Sequence, residues 1–214
     1  MDFDRAFGDA ERARVQEAVR RAESLSRGQI VPVVVEKSDP YPETRGRGGL
    51  ALAALATALW LVLHPEGGVV ELVPVQLVAG LLGVLLGAWD PIERLLAGRR
   101  SMDEAVHARA LRAFHEHGLH RTAEGTGVLV FASIFEREAI VLGDRGIHEK
   151  IGEAGWSEAV RALTARLGTG DPAGGFVEAI ALCGARLAVH FPREPGAVTP
   201  PVNELEDAIR VERG

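Results

Sequence analysis

The sequence predicts a small α/β sandwich, a mixed sheet flanked by helices, that is interrupted by a two-helix transmembrane hairpin. Two internal apolar blocks without any basic residue, Gly48–His64 and Val69–Trp89, predict the hairpin. Three short runs rich in Val and Ile, one before the hairpin and two after it, predict strands. Because a single strand is not stable alone, we expect the first to pair with the later two.

Composition limits the possible classes of function. The chain has 214 residues, 47% of them apolar, which suits one ordinary domain, or one small domain with membrane spans, better than two large domains. Its 24 basic and 30 acidic residues give a net charge of −6, which argues against a nucleic-acid binder. A single cysteine, Cys183, excludes an internal disulfide.

Before the hairpin, the chain predicts one helix and one strand. Residues 9–26 have apolar side chains at helical spacing, and Gly28 ends the helix. Gln29–Val35 is almost continuously apolar, which is typical of an interior strand. Pro32 cannot donate a hydrogen bond to a neighbouring strand, so we expect an open edge or a bulge near it. The residues that predict the buried face of the helix are Val15, Ala18, Val19, Ala22 and Leu25.

The two apolar blocks are long enough to cross a bilayer. At about 1.5 Å per residue they span roughly 25 and 31 Å, and the sequence HPEGG between them predicts a tight turn. The alternative is a buried helical hairpin in a soluble core, but such a helix normally shows a polar stripe. Gly80, Gly83 and Gly87 either form a close-packing face between the helices or are small residues without that role.

Charge sets the predicted orientation of the hairpin. Basic residues flank its outer ends (Arg45, Arg47, Arg94, Arg99 and Arg100), and the turn has none. The positive-inside rule therefore predicts a multi-pass protein of the cell membrane with both termini in the cytoplasm.

After the hairpin, Ser101 with Glu104 predicts a capped helix. Thr126–Phe135 and Glu138–Leu142 predict an antiparallel strand pair. Two helices follow at about 148–167 and 173–190 by their apolar spacing. The predicted organisation is a domain built from 1–45 and 100–191, with the hairpin at 48–89 and a Pro-rich, acidic tail at 192–214.

The order of these elements, together with five sequence segments, resembles the TPM domain family, often labelled TPM phosphatase. The resemblance covers residues 9–37 and 101–191, and it implies a small α/β sandwich. It departs from the family in that a membrane hairpin interrupts the domain. The segments are Gly28–Val35, His117–Thr122, Thr126–Phe131, Val141–Ile147 and Gly170–Ile180.

The resemblance implies more than one activity, because some family members are acid phosphatases and others bind divalent metal or act as accessory modules. The candidate site is the segment Gly143–His148, between a strand and a helix. Asp144 is the candidate nucleophile or ligand for Ca²⁺ or Mg²⁺, and Arg145 the candidate phosphate clamp. Asp171 is a second candidate metal ligand. The alternative is a turn in which Asp144 accepts backbone hydrogen bonds and Arg145 is solvated.

Other reactive residue types give little support for catalysis. His115, His117 and His120 do not share one helical face, so a helix-end role is favoured over a metal site. Ser133 is predicted to be a buried strand serine bonded to backbone, and Cys183 a core thiol. The sequence lacks the glycine-rich motifs of nucleotide sites.

Two hypotheses of function follow. The first is an integral membrane protein whose cytoplasmic domain is an accessory or interaction module with a membrane-protein partner. The alternative is a metal-assisted phosphomonoesterase that uses Asp144 and Arg145.

Overall fold

The computed structural model describes residues 6–122, 125–193 and 205–212. The chain divides into two compact units. One, here the α/β unit, consists of Met1–Ser38 and Asp103–Gly214, and the other, here the hairpin unit, is Asp39–Met102. Most of the Pro-rich start of the predicted tail, residues 194–204, lies outside the described residues.

The described helices and strands follow the predicted order with additions. In chain order they are α1 (Asp9–Ser24), β1 (Gln29–Val35), α2 (Glu43–Leu63), α3 (Val69–Leu86), α4 (Asp90–Ala97), α5 (Arg99–Glu116), β2 (Gly127–Ser133), β3 (Glu138–Gly143), α6 (Arg145–Ile151), α7 (Ser157–Thr169), α8 (Pro172–His190) and β4 (Arg210–Glu212). Short 3₁₀ turns at Leu119–Arg121 and Glu153–Trp156 precede β2 and α7.

The four described strands form one mixed sheet in the order β3-β2-β1-β4. β1 and β2 run parallel, with Val33 opposite Phe131, so the predicted pairing across the apolar hairpin is confirmed. β2 and β3 are antiparallel, as the short connection between them predicts. The strand before the apolar blocks and the strands after them therefore belong to one sheet.

Each face of the sheet has its own core. On one face, Ile30, Val34 and Val130 pack with apolar residues of α1, α6, α7 and α8. On the other face, Val33 and Phe131 pack with apolar residues of α5. Every residue of β1 and β2 is buried because both faces are covered, and this explains their nearly continuous apolar sequences.

The expected open edge at Pro32 is present. β4 pairs in parallel only with Val33–Val35, so it begins one residue beyond Pro32. On the same edge, the backbone N–H of Ile30 donates to Glu23 Oε1 at 2.7 Å instead of to a strand. Among the described residues, Pro32 therefore lies on the part of this edge where β1 has no neighbouring strand. No strand is predicted in the Pro-rich, acidic tail at 192–214, but its Arg210–Glu212 forms β4, a short fourth strand at this edge.

Some helix boundaries differ from the predictions. Ser101 lies inside α5, which begins at Arg99, so it is not a cap. The single helix predicted at 148–167 is divided, because Gly152 has φ +65° and ends α6. Leu25, expected in the core, is 62% exposed, and the buried face of α1 continues through Glu23 instead.

Glycines let the two long helices of the hairpin unit approach each other closely. A Cβ on Gly48 would lie 2.5 Å from the carbonyl oxygen of Gly83, and a Cβ on Gly83 would overlap the carbonyl of Gly48. A Cβ on Gly87 would lie 2.9 Å from the carbonyl oxygen of Thr44. Of the two alternatives for the glycines of α3, the structure supports the close-packing face for Gly83 and Gly87.

A polar contact joins the same two helices in their apolar part. Gln76 Nε2 of α3 donates to Thr57 Oγ1 of α2 at 2.8 Å, and Thr57 in turn donates to the carbonyl of Ala53. In hydrocarbon, such side chains need internal partners, since no water is available. This pair therefore satisfies the polar groups in the middle of the hairpin.

Among the described residues, three helices are long and apolar enough to cross a membrane. Only 11% and 6% of the apolar windows of α2 and α3 are buried, so most residues of these two helices are partly or fully exposed. The third helix, α8, is 50% buried and contributes Phe176, Ile180 and Leu187 to the core of the α/β unit.

Candidate functional site

Asp144 is the N-cap of α6. Its Oδ1 accepts a hydrogen bond from the N–H of Arg145 at 2.7 Å. Its carbonyl accepts from the N–H groups of Ile147 and His148, and its own N–H donates to the carbonyl of Gly127 at 2.8 Å. The backbone N–H and carbonyl of Asp144 are thus both hydrogen-bonded, and one of its carboxylate oxygens accepts from the first residue of α6.

Arg145 extends into solvent. Its side chain is 91% exposed and pairs with Glu149 one turn along α6, with Nε and Oε1 at 3.3 Å. Asp144 and Arg145 are therefore adjacent, in the geometry that the turn alternative predicts. Their proposed catalytic roles stay a prediction.

The antiparallel direction of β3 decides where this turn lies. Gly143 is opposite Val128, near the start of β2, and Gln29 at the start of β1 is opposite Gly127. Asp144 follows the carboxyl end of its own strand but neighbours the amino ends of the two parallel strands. The general location of ligand sites at the carboxyl ends of parallel strands therefore does not apply to Asp144.

Asp171 is the N-cap of a different helix, α8. Its Oδ1 accepts from the N–H of Gly174 at 3.0 Å. Arg166 forms ion pairs with Asp171 at 3.3 Å and with Glu178 at 3.4 Å. The Asp171 carboxylate thus already has a backbone donor and a cation.

These residues do not fit a divalent-metal site. Ca²⁺ needs about six to eight oxygen ligands, and Mg²⁺ needs about six. Within the described part of the chain, no three His, Cys, Asp or Glu side chains come together as a group that could hold a metal. Asp144 and Asp171 each cap their own helix, so we derive no chemistry through a metal here.

The histidines are arranged differently from the helical prediction. α5 ends at Glu116, and the chain then turns, so that the rings of His115 and His120 lie with their centroids 5.0 Å apart. His117 Nε2 lies 3.1 Å from Glu212 Oε1 on β4, and Arg109 pairs with the same carboxylate. Burial lowers the pKa of His117, and the charge of Arg210 acts in the same direction. His117 therefore helps to attach β4 to α5.

Ser133 and Cys183 are both fully buried, as expected. Ser133 donates to the Glu136 carboxylate and not to backbone, which corrects the expected partner. Glu136 also accepts from the N–H of Ser38 at 3.1 Å. Burial raises the pKa of the Cys183 thiol to about 12, so the thiolate nucleophile does not form near neutral pH.

Two glutamates with raised pKa values, Glu23 and Glu138, were not predicted from the sequence. Burial, with a smaller contribution from Asp207, raises the pKa of Glu23 to about 7. Burial and the neighbouring Asp103 likewise raise the pKa of Glu138 to about 7. Of the two glutamates, only the burial of Glu23 could have been predicted from the sequence, because Glu23 follows Val15 and Val19 on the buried face of α1 at helical spacing.

A surface groove with a volume of about 590 Å³ lies between α1 and α8. It is lined mainly by small apolar residues such as Ala18, Ala181 and Gly184, with Leu25 at its wall. Arg14, Glu17 and Arg21 are its charged members. It contains none of the predicted site residues.

Comparison with known proteins identifies part of the chain. Residues 96–186 match the family model of the TPM domain, which confirms the predicted resemblance for the segment from α5 through most of α8. Residues 9–37, which supply α1 and β1, lie outside that match.

One solved structure is similar over nearly the whole chain. It is the NMR structure of the BA42 protein from the psychrophilic bacterium Bizionia argentinensis, with a TM-score of 0.58 and 18% identity. The similarity covers 96% of this chain and 94% of that chain, and at this identity it shows the fold alone. No curated protein matches the sequence.

Proposed function

We propose that the chain, whose residues 96–186 match the TPM domain model, is an integral membrane protein that holds this region at the cytoplasmic face of the cell membrane as an accessory or interaction module. The observation that carries the proposal is the exposed apolar surface of α2 and α3. Large hydrophobic side chains on these helices, such as Leu50, Val62 and Val70, are 77% to 85% exposed. Water disfavours an apolar surface of this extent, whereas a bilayer covers it.

The ends of the hairpin support the orientation. Arg45 and Arg47 lie at the start of α2, and the turn between α2 and α3 has Glu66 but no Lys or Arg. Trp60 stacks on His64 near that turn, at a centroid distance of 4.4 Å, as suits an aromatic pair at a membrane interface.

Cysteine labelling tests membrane insertion and orientation together. The native Cys183 is buried, so it gives little background. Glu66→Cys places a thiol in the turn, and Glu43→Cys places its matched control at the other end of the hairpin. We expect a membrane-impermeant maleimide to label Glu66→Cys in intact cells and Glu43→Cys only after permeabilisation. The reverse pattern contradicts the orientation, and release of the protein by alkaline carbonate contradicts insertion.

The role as an interaction module has a separate test. We expect chemical crosslinking in intact membranes to join the full chain to a membrane-protein partner and to give a discrete adduct. If the chain remains a monomer under conditions that crosslink known membrane complexes, the proposed interaction with a membrane-protein partner is wrong. Membrane insertion is tested separately by the labelling experiment.

The phosphomonoesterase hypothesis can be separated from this proposal at Asp144. Asn caps a helix about as well as Asp, so Asp144→Asn removes the charge while the N-cap hydrogen bond of α6 remains. On the interaction-module proposal, wild type and Asp144→Asn have the same phosphatase activity, measured on detergent-purified protein with and without Mg²⁺ or Ca²⁺. A wild-type activity that Asp144→Asn abolishes supports the enzyme instead.

A further inference from the structure

The groove between α1 and α8 is an uncovered apolar surface of the α/β unit. α8 is apolar enough to cross a membrane, yet only half of its apolar window is buried. Within the described part of the α/β unit, the exposed large apolar side chains are Leu25, Leu111 and Val189. Leu25 follows α1 directly, and Val189 belongs to the last turn of α8. Exposed apolar surface that is concentrated in one place is typical of a contact with another molecule.

α1 and α8 run side by side in the same direction. A Cβ on Gly184 of α8 would lie 2.6 Å from the Cβ of Ala22 of α1, so the two helices approach closely at this level. Just beyond the ends of both helices, Ser26 pairs with Pro192 in an isolated β-bridge. The exposed side chains at the two helix ends therefore lie at the same end of the groove.

The middle of the groove lies at one level on both helices. The lining of the groove extends over 13–25 on α1 and 177–185 on α8, so its midpoints are Val19 and Ala181. Each midpoint is three residues before the close contact between the two helices. Because both helices rise by the same distance per residue, a single twofold axis perpendicular to them can pass through the middle of the groove.

Rotation about such an axis places large apolar side chains opposite small ones. On α1, Leu25 of one copy comes to lie opposite Ala13 of the other. On α8, Val177 comes to lie opposite Ala185. Alternation of large and small residues across facing positions lets two layers of helices interdigitate. The apolar lining of the groove thus fits a reversed copy of itself in side-chain size.

The charges of the groove are also complementary to their own reversed order. Glu17 of one copy comes to lie opposite Arg21 of the other, and Arg14 opposite Ser24. Within one chain, Arg21 Nε pairs with Glu17 Oε1 at 2.9 Å, and the two side chains are 77% and 50% exposed, so each can also contact a second partner. Among the three charged residues of the lining, no like charges are placed opposite each other, which favours self-association.

We propose that a second copy of this chain covers the groove, in a symmetric dimer in which α1 packs antiparallel on α1 of the other copy and α8 on α8. Such an interface is isologous, since one patch contacts the same patch on the partner. The four helices then pack as neighbours do in a four-helix bundle. All of the contributing residues belong to the α/β unit, so the inference does not depend on membrane insertion.

Crosslinking through the axis tests this arrangement in native membranes. A residue on a twofold axis meets its own counterpart, so a short bifunctional maleimide should join Ala181→Cys to itself and give an adduct of twice the chain mass. The control is Arg161→Cys, an exposed site on the neighbouring helix α7. This control and the wild type, whose Cys183 is buried, should stay monomeric. Absence of the adduct overturns the inference, and so does an adduct of Ala181→Cys with a different protein.

Charge reversal gives a second measurement, which uses energy transfer between full chains fused to donor and acceptor fluorescent proteins in liposomes. Glu17→Arg brings two pairs of like charges together in the dimer and should weaken self-association roughly tenfold. Arg21→Glu should have the same effect. The double variant, Glu17→Arg with Arg21→Glu, restores both pairs between the copies and should associate as the wild type does. Arg161→Glu changes a charge outside the groove and should have no effect.

Two outcomes of the charge reversal overturn the inference. If the wild type and all of the variants associate equally, any dimer uses another surface. If the single variants associate weakly and the double variant does not recover, then Glu17 and Arg21 do not face each other across a twofold axis. Both results leave the proposed membrane insertion untouched, because that is decided by the labelling of the hairpin.

Discussion

At the scale of single residues, Glu23 is the most unusual group in the α/β unit. It is 8% exposed, and its carboxylate accepts the N–H of Ile30 on the edge of β1. Arg20 pairs with Asp207, which lies near the start of β4, at 3.4 Å. Burial and, to a smaller extent, the nearby charge of Asp207 disfavour an ionised Glu23, so its pKa is raised.

The protonation of Glu23 makes stability depend on pH. Its pKa is raised from 4.5 to about 7, so the folded protein keeps this proton over a range in which the unfolded chain has released it. Stability therefore falls as the pH rises from 4.5 to about 7 and stays reduced above that. We expect Glu23→Gln to stabilise the protein by about 2 to 3 kcal/mol at about pH 8, since it removes a buried ionisation.

Thermal unfolding in detergent at two pH values checks this expectation. At about pH 4, where Glu23 is protonated in both states, the variant and the wild type should unfold at similar temperatures. Glu17→Gln is the control on the same helix, because Glu17 is exposed and loses only its surface pair with Arg21. A Glu23→Gln variant that is less stable than wild type at about pH 8 contradicts the raised pKa.

At the scale of elements, the packing of α2 on α3 depends on which glycine a side chain replaces. A Cβ on Gly83 would overlap the Gly48 carbonyl, whereas a Cβ on Gly80 would lie 3.9 Å from the Cβ of Ala53, an ordinary contact. We expect Gly83→Ala to cost on the order of 1 to 3 kcal/mol through overpacking. Gly80→Ala, the same change one turn away, should be neutral or slightly stabilising.

Unfolding of the two variants in mixed micelles, followed by circular dichroism, measures the difference. Both substitutions add one methyl group to the same helix, so their contrast reports interhelical contact and not helix propensity. Equal stability of Gly83→Ala and Gly80→Ala would show that the helices do not approach as closely as the structure has them.

Elements whose buried residues form a regular apolar pattern can be predicted from the sequence. Elements that are held in place by contacts with residues far away in the chain cannot. β1 and β2 are covered on both faces, so their apolar runs are long enough to identify. β4 has the sequence Arg-Val-Glu, which carries no strand pattern; it is fixed by Ile209 in the core, by the ion pair of Glu212 with Arg109 and by the contact of Glu212 with His117. The same limit applies to the candidate site: Asp144 as a turn residue was foreseeable, but the position of its turn depends on the direction of β3.

At the scale of the whole molecule, the location of the two cores leads us to expect that the sheet packs without the hairpin. Among the described residues, every member of both hydrophobic clusters belongs to the α/β unit. The hairpin occupies the connection between β1 and α5, and parallel strands such as β1 and β2 need a long crossover of some kind. Long insertions in a connection add little loop-closure cost, so a membrane hairpin there is compatible with one continuous domain.

A variant in which a flexible Gly/Ser linker replaces residues 39–98 tests this view of the molecule. It keeps α5 whole and removes α2, α3 and α4, which carry most of the exposed large apolar side chains. We expect it to be soluble without detergent, to unfold cooperatively, and to retain slow hydrogen exchange at the amides of β1 and β2, because these strands stay buried on both faces. If the variant aggregates, or if the amides of β1 exchange rapidly while those of β2 and β3 stay protected, then the hairpin is required to hold the first strand in the sheet.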